Sequence, residues 1–307
     1  MSEVHHFAYG WTSPTLAYVM SFLGSLLGLI LAARAREVEG AARARWLALA
    51  AVAIGGTGIW LMHFMAMIGF DVPDTVVRYD VPTTVVSVVI AVVIVGIGLF
   101  IVGMGSPRSS KLLIGGPITG IGVAAMHYTG MAAMRLGGVM SFDPVRVTAS
   151  VVIAIVAATA ALWFALYIRR GGAATVTAAL LMGLAVSSMH YTGMSAIRVT
   201  LTSQPTAITG VSALALLLPI SILACVVVTA LAYVTVGLSM RKDGQRADRV
   251  ADRERADRVA DRGRAGRAAA GDVTDRAPVR IPVQATGSYA GDQRTVVLPR
   301  LPNGRHR

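Results

Sequence analysis

Seven stretches of the chain, near residues 13–33, 46–70, 84–104, 112–134, 148–168, 175–197 and 212–239, each run for 20 or more residues without an Asp, Glu, Lys or Arg. No other feature constrains the fold as tightly. An α-helix rises about 1.5 Å per residue, so roughly 20 apolar residues cross the hydrocarbon of a bilayer. Backbone N–H and C=O groups find no water there, and an isolated strand would leave them unpaired. The third stretch is rich in Val and Ile and would suggest a strand in water. At this length in lipid it reads as helix. The expected fold is all-α, a polytopic membrane bundle of seven transmembrane helices.

Charge divides the chain in two. Residues 1–240 hold 12 Lys/Arg and 7 Asp/Glu, and residues 241–307 hold 16 and 9. We expect a membrane domain over 1–240 and a basic, largely disordered cytoplasmic tail over 241–307. Within the tail, RADRVADR at 246–253 recurs at 255–262, with opposite charges in salt-bridging reach along a short helix. Arg34, Arg36, Arg43, Arg45, Arg108, Lys111, Arg169 and Arg170 fall in connections on the same side as that tail. Arg78, Arg135, Arg146 and Arg198 fall on the other. The excess of Lys and Arg found on cytoplasmic sides gives an N-out, C-in orientation. The outer side also carries Asp71, Asp74, Asp80 and Asp143, which would attract cations weakly. The basic tail is expected to lie near the anionic inner leaflet, and no nucleic-acid partner is expected. One cysteine, Cys225, excludes an intrachain disulfide and any cysteine-based metal site. The opening MSEVHHFAYGW lacks a basic segment ahead of an apolar run, so a cleaved signal peptide is not expected.

A repeated word sits inside these spans. MHYTGMAAM begins at Met126, MHYTGMSAI at Met189, and a blurred copy, MHFMAM, at Met62. The histidines, His63, His127 and His190, are 64 and 63 residues apart, about two crossings plus their loops. The bundle therefore reads as three repeated helix pairs plus one helix, with each histidine on the second helix of its pair. Gly56, Gly120 and Gly183 correspond, as do Gly58, Gly122 and Ala185; small residues at such positions let helices approach closely in lipid. The first charged residue follows each histidine by eight, at Asp71, Arg135 and Arg198. That places all three imidazoles roughly 12 Å below the same membrane edge.

Polar side chains in a membrane avoid lipid, so the three motif faces are expected to turn inward to one cavity. Met67, Met131 and Met194 follow the histidines by four residues and share their helix faces. Met62, Met126 and Met189 precede them by one and are secondary candidates, because one residue rotates about 100° around the axis. Buried imidazole tends to be neutral, the form that binds metal. With soft thioethers it favours copper, Cu(I) in particular, over magnesium, calcium or manganese. Zinc fits less well without a thiolate or carboxylate. Haem could take His or Met axial ligands, but no Cys-x-x-Cys-His attachment site exists. Taken singly, each histidine is a packed core residue and each methionine a filler; repetition in register favours a site. Tyr128 and Tyr191 either orient imidazoles or sit at the interface belt. His5 and His6, ahead of the first span, are either solvated or further ligands.

The words MHYT at 126–129 and 189–192, with MHFM at 62–65 as a degenerate copy, resemble the signature of the MHYT domain, a bacterial integral-membrane sensor module. The resemblance covers nearly all of residues 1–240. It implies an inner-membrane location and a copper site, built from the motif Met and His residues, that senses dioxygen, carbon monoxide or nitric oxide. Such domains are often followed by cyclic di-GMP enzymes or histidine kinases. The 67 residues after the last span are too few and too polar for one, so the chain is expected to be non-enzymatic and to signal through a separate cytoplasmic partner. Two other functions use the same residues: a copper carrier or transporter, and a membrane oxidoreductase. A structural bundle with inert histidines is the third alternative.

Overall fold

The computed structural model describes residues 8, 10–73, 75–105, 109–167, 172–202 and 208–274. The chain divides into two compact units, Met1–Asp243 and Gly244–Arg307. His5, His6, Asp74, Arg108, Arg169 and Arg170 lie outside the described residues.

The first unit is a helical bundle. Helix α1 (Thr12–Ala35) is followed by a continuous second span made of α2 (Gly40–Ala51), a π-helical segment (Val52–Leu61) and α3 (Met62–Met67). Next come α4 (Val81–Gly103) and α5 (Ser110–Ala132), then α6 (Pro144–Tyr167) and α7 (Gly172–Met194). Helix α8 spans Ala213–Thr274. Six of these spans are long and apolar enough to cross a membrane: α1, Gly40–Met67, α4, α5, α6 and α7. The expected seventh crossing, 212–239, falls on α8, where the described residues give a shorter apolar helix, Ala213–Ile222.

The six spans close a ring. Each packs against its neighbours in chain order, and α7 returns to α1. Exposed Val85, Val89 and Val93 cover the outside of α4, as a lipid-facing surface requires. Gly56 lies against Val92 of α4, Gly120 against Ile155 of α6, and Gly183 against Tyr18 and Phe22 of α1. Each corresponding glycine thus meets the first helix of the next pair around the ring. The closest approach to a neighbouring backbone is at Gly24, where an added Cβ would stand 2.2 Å from the backbone N of Gly58. Only glycine permits that approach.

Two features depart from the expected straight helices. Over Val52–Leu61 the helix widens to a π form across a run containing Gly55, Gly56 and Gly58. Glycine, without a Cβ, tolerates departures from α geometry, and π segments recur at functional sites. This one leads directly into His63. The connections are also not plain loops. β1 (Arg78–Tyr79) pairs with β2 (Met134–Arg135) and, on its other side, with β5 (Val211–Ser212), while β3 (Gly138–Phe142) pairs with β4 (Ile197–Leu201). All five strands lie in the connections that follow α3, α5 and α7, so they join one end of the bundle. An all-α description is therefore amended by a small antiparallel cap.

That cap also gives two of the outer acids, Asp80 and Asp143, local partners. Asp80 accepts a bond from the Thr83 amide at the start of α4 and lies 3.7 Å from Arg135. Asp143 accepts from the Val145 and Arg146 amides at the start of α6 and lies 2.7 Å from Arg198. These carboxylates cap helices and hold arginines. The Thr83 hydroxyl bond first of all holds the Asp80 carboxyl below the usual carboxylate range, and the Arg146 amide bond does so for Asp143. The backbone repeats one clasp. Asp80 N–H donates to Ala133 O at 2.8 Å, Asp143 N–H to Ala196 O at 2.9 Å and Ala8 N–H to Gly69 O at 3.0 Å. The three acceptors stand six residues after the three histidines.

In the second unit, residues 244–274 are helical, which takes in the short charged helix expected over the RADRVADR repeats and runs on to Thr274. Arg255 pairs with Asp252 at 3.9 Å and Arg258 with Glu254 at 3.4 Å, the spacing that supports a helix with no apolar face. Residues 275–307 lie outside the described residues.

Candidate metal centre

The three histidines meet. His63 comes from α3, His127 from α5 and His190 from α7, and none is more than 1% exposed. His63 Nδ1 lies 3.0 Å from His190 Nδ1 and 3.1 Å from His127 Nδ1. The ring centroids are 4.9 to 5.0 Å apart, and the planes cross at 77 to 84°. The imidazoles form a three-bladed propeller with Nδ1 at the hub.

A neutral ring nitrogen offers either one hydrogen or one lone pair. His63 Nδ1 faces two other Nδ1 atoms, so it can form one well-directed hydrogen bond and not two. A cation at the hub would accept all three lone pairs at once, and this donor set fits a metal ion. Metal–imidazole bonds of about 2.0 Å would set three nitrogens about 3.5 Å apart around an ion. The observed hub would open by a few tenths of an ångström to admit one. The three histidines are the group among the described residues whose donor atoms can jointly hold a metal.

The rings are held by shape. Among the described residues, Nε2 of His63 and Nε2 of His127 have no hydrogen-bond partner. A Cβ built on Gly130 would stand 2.3 Å from His63 Nε2, and one built on Gly193 would stand 2.3 Å from His127 Nε2. Gly130 and Gly193 are the glycines of the two MHYTGM words, three residues after His127 and His190. Each therefore seats the imidazole of the preceding copy. The repeated glycine was the available signal in the sequence, and no role was read from it. The first copy has Ala66 at that position, buried against Met62 and Ala17.

Met67, Met131 and Met194 are buried, as are Met62, Met126 and Met189. Five of the six belong to the main core, and Met62 packs in the smaller cluster with Ala17 and Ala66. The tyrosines stand edge-on to the histidines beside them, Tyr128 at 4.9 Å from His127 and Tyr191 at 5.0 Å from His190. The Tyr128 hydroxyl lies 2.6 Å from Ser150 Oγ on α6. Tyr128 thus ties α5 to α6 and braces His127 with its ring. Phe64 replaces it in the first copy and packs with Trp60 and Tyr79, while Trp60 Nε1 donates to Ser87 Oγ at 2.9 Å.

Comparison with known proteins bears on the repeat. The MHYT family, described as a bacterial signalling protein N-terminal repeat, matches residues 56–116, 120–178 and 183–250. The chain is 33% identical over 193 residues to the bifunctional diguanylate cyclase/cyclic di-GMP phosphodiesterase MucR of Pseudomonas aeruginosa, covering 62% of this chain and 28% of that protein. It is 35% identical over 149 residues to the cyclic di-GMP phosphodiesterase NbdA of the same organism, covering 46% and 19%. It is 27% identical over 197 residues to the signaling protein YkoW of Bacillus subtilis, covering 62% and 24%. The chain therefore spans less than a third of the length of these relatives. No solved structure matches it. The matched segments cover more than half of the chain, and the protein belongs to the MHYT family of bacterial signalling repeats.

Proposed function

We propose that this protein is a non-catalytic sensor of the bacterial inner membrane, holding copper in the outer half of its bundle and responding to dioxygen, carbon monoxide or nitric oxide. The observation that carries this reading is the convergence of three buried Nδ1 atoms at one hub. His63, His127 and His190 would hold the metal. Met67, Met131 and Met194 are the thioether candidates, and Met62, Met126 and Met189 are secondary to them. Copper would supply a coordination centre for a diatomic ligand, and imidazole with thioether suits it. The domain, over residues 1–240, would be three copies of one helix pair plus a seventh crossing in α8. It would lie N-out and C-in, with residues 241–307 as a cytoplasmic tail. The rotated glycine contacts and the three matching backbone clasps support the repeat, and the Lys and Arg distribution supports the orientation.

Ligand binding would be reported by the packing of the three pairs, which meet through the histidines, the cap and the contacts that close the ring. The receiver would be a cytoplasmic signalling partner, and the names of the relatives point to cyclic di-GMP synthesis or breakdown as the output. The expected result in proteoliposomes is tightly bound copper, about one ion per three-histidine hub, with no accumulation in the lumen. Time-dependent copper uptake would instead identify a carrier, and steady turnover of an electron donor an oxidoreductase.

A further inference from the structure

Beneath the imidazoles the bundle axis is not filled. A cavity of about 40 Å³ lies there, lined by residues from all six spans. Its lining includes Ile59, Val123 and Val186, each four residues before one of the three histidines, and Met189, adjacent to His190. Residues four apart share a helix face, so the cavity lies one turn below the hub on the same faces. Ile59, Val123 and Met189 are 5%, 5% and 2% exposed, which closes this part of the lining to solvent.

The chemistry of the lining selects an occupant. Ser25 and Thr119 supply its hydroxyl groups, and the remaining residues are Ala, Val, Ile, Leu and Met. Thr119 is buried, and its Oγ1 has no hydrogen-bond partner among the described residues. A buried water needs about two to four polar partners, and apolar cavities stay dry yet take up xenon or small hydrocarbons. The two hydroxyls reach only the lower end of that range, while the volume is a fraction of the roughly 150 Å³ that admits benzene. An ion would lose its hydration with nothing to replace it.

We propose that this axial cavity is a dry holding site for one uncharged, apolar molecule of about two heavy atoms, of the dioxygen, nitric oxide and carbon monoxide class. Such molecules dissolve better in hydrocarbon than in water, so the bilayer concentrates them around the bundle. The Thr119 hydroxyl offers a bound diatomic one weak donor. Delivery of the molecule to the hub rests on the sensor reading above; occupancy of the cavity does not.

Xenon is the probe, applied to the metal-free, full-length protein in lipid nanodiscs and read by methyl NMR. Methyl shifts of Ile59, Val123 and Val186 are expected to saturate with xenon pressure, while those of lipid-facing Val89 and Val93 change linearly. Val123→Phe fills the space and should abolish saturation at Ile59 and Val186. Thr119→Val, which keeps the shape, should leave saturation in place. Linear shifts at all five positions in the wild type would overturn the proposal. So would saturation that appears only in Thr119→Val, the mark of a cavity holding water. Because no copper is present, a failure of the metal site leaves this result unchanged, and loss of xenon binding leaves the copper content unchanged.

Discussion

Gly193→Ala is expected to strip the protein of most of its copper. The new methyl would be built 2.3 Å from His127 Nε2, more than an ångström inside normal contact. Either the imidazole tilts away from the hub or α5 and α7 separate. Overpacking of this kind costs about 1–3 kcal/mol. Displacing one of three donors should weaken metal binding by at least the 10- to 100-fold typical of lost outer-shell support. Gly130→Ala should behave alike through His63, whose Nε2 would also be 2.3 Å from the added carbon. The internal control is Gly56→Ala, where the nearest atom, Val92 Cγ2, would be 3.7 Å away, an ordinary contact. Metal analysis and thermal unfolding in lipid should separate the three variants: two with lost copper and lowered midpoints, one with neither. Equal retention of copper in all three would mean that glycine does not seat the rings.

His63→Ala should have the larger effect on affinity and the smaller effect on the metal-free fold. His63 Nδ1 touches both other hub nitrogens at 3.0 and 3.1 Å, so its loss breaks both contacts at once. Copper affinity should fall by more than about 100-fold, beyond the range for outer-shell changes. Without metal, the hub leaves ring nitrogens facing one another with at most one good hydrogen bond, so removing one relieves a conflict and offsets part of the cost of the cavity created. In the wild type, Cu(I) at about 100 times the dissociation constant should stabilise the fold by about 2.7 kcal/mol. That increment should vanish in His63→Ala. An unchanged copper-dependent rise in its unfolding midpoint would place the metal elsewhere.

Much of this centre could be read from the sequence. Uncharged length set six of the helices, because a bilayer tolerates little else. The word MHYTGM, written twice at a spacing of two crossings, brought His127 and His190 to one level, and the blurred MHFMAM brought His63 there. What escaped was what depends on contacts between distant segments. The strands β1 to β5 are two to five residues long, and although β4 alternates apolar and polar residues, five residues are too few for that pattern to stand out. Asp80 and Asp143 read as surface acids because their partners, Arg135 and Arg198, lie 55 residues away in sequence in each case. The π segment follows from packing against α1 and α4, to which the glycines of Val52–Leu61 respond without specifying it. Gly130 and Gly193 were visible as repeated letters, but their partners belong to the preceding copy, and only the folded ring joins them.

The most direct measurement is X-ray absorption at the copper edge on protein reconstituted in lipid. The hub predicts an inner shell of histidine nitrogens at about 2.0 Å, with imidazole outer-shell scattering from three rings. The variant carrying His63→Ala, His127→Ala and His190→Ala should bind no copper while its helical content is retained. A shell lacking imidazole scattering, or copper still bound by the triple variant, would contradict a metal held where the three rings meet.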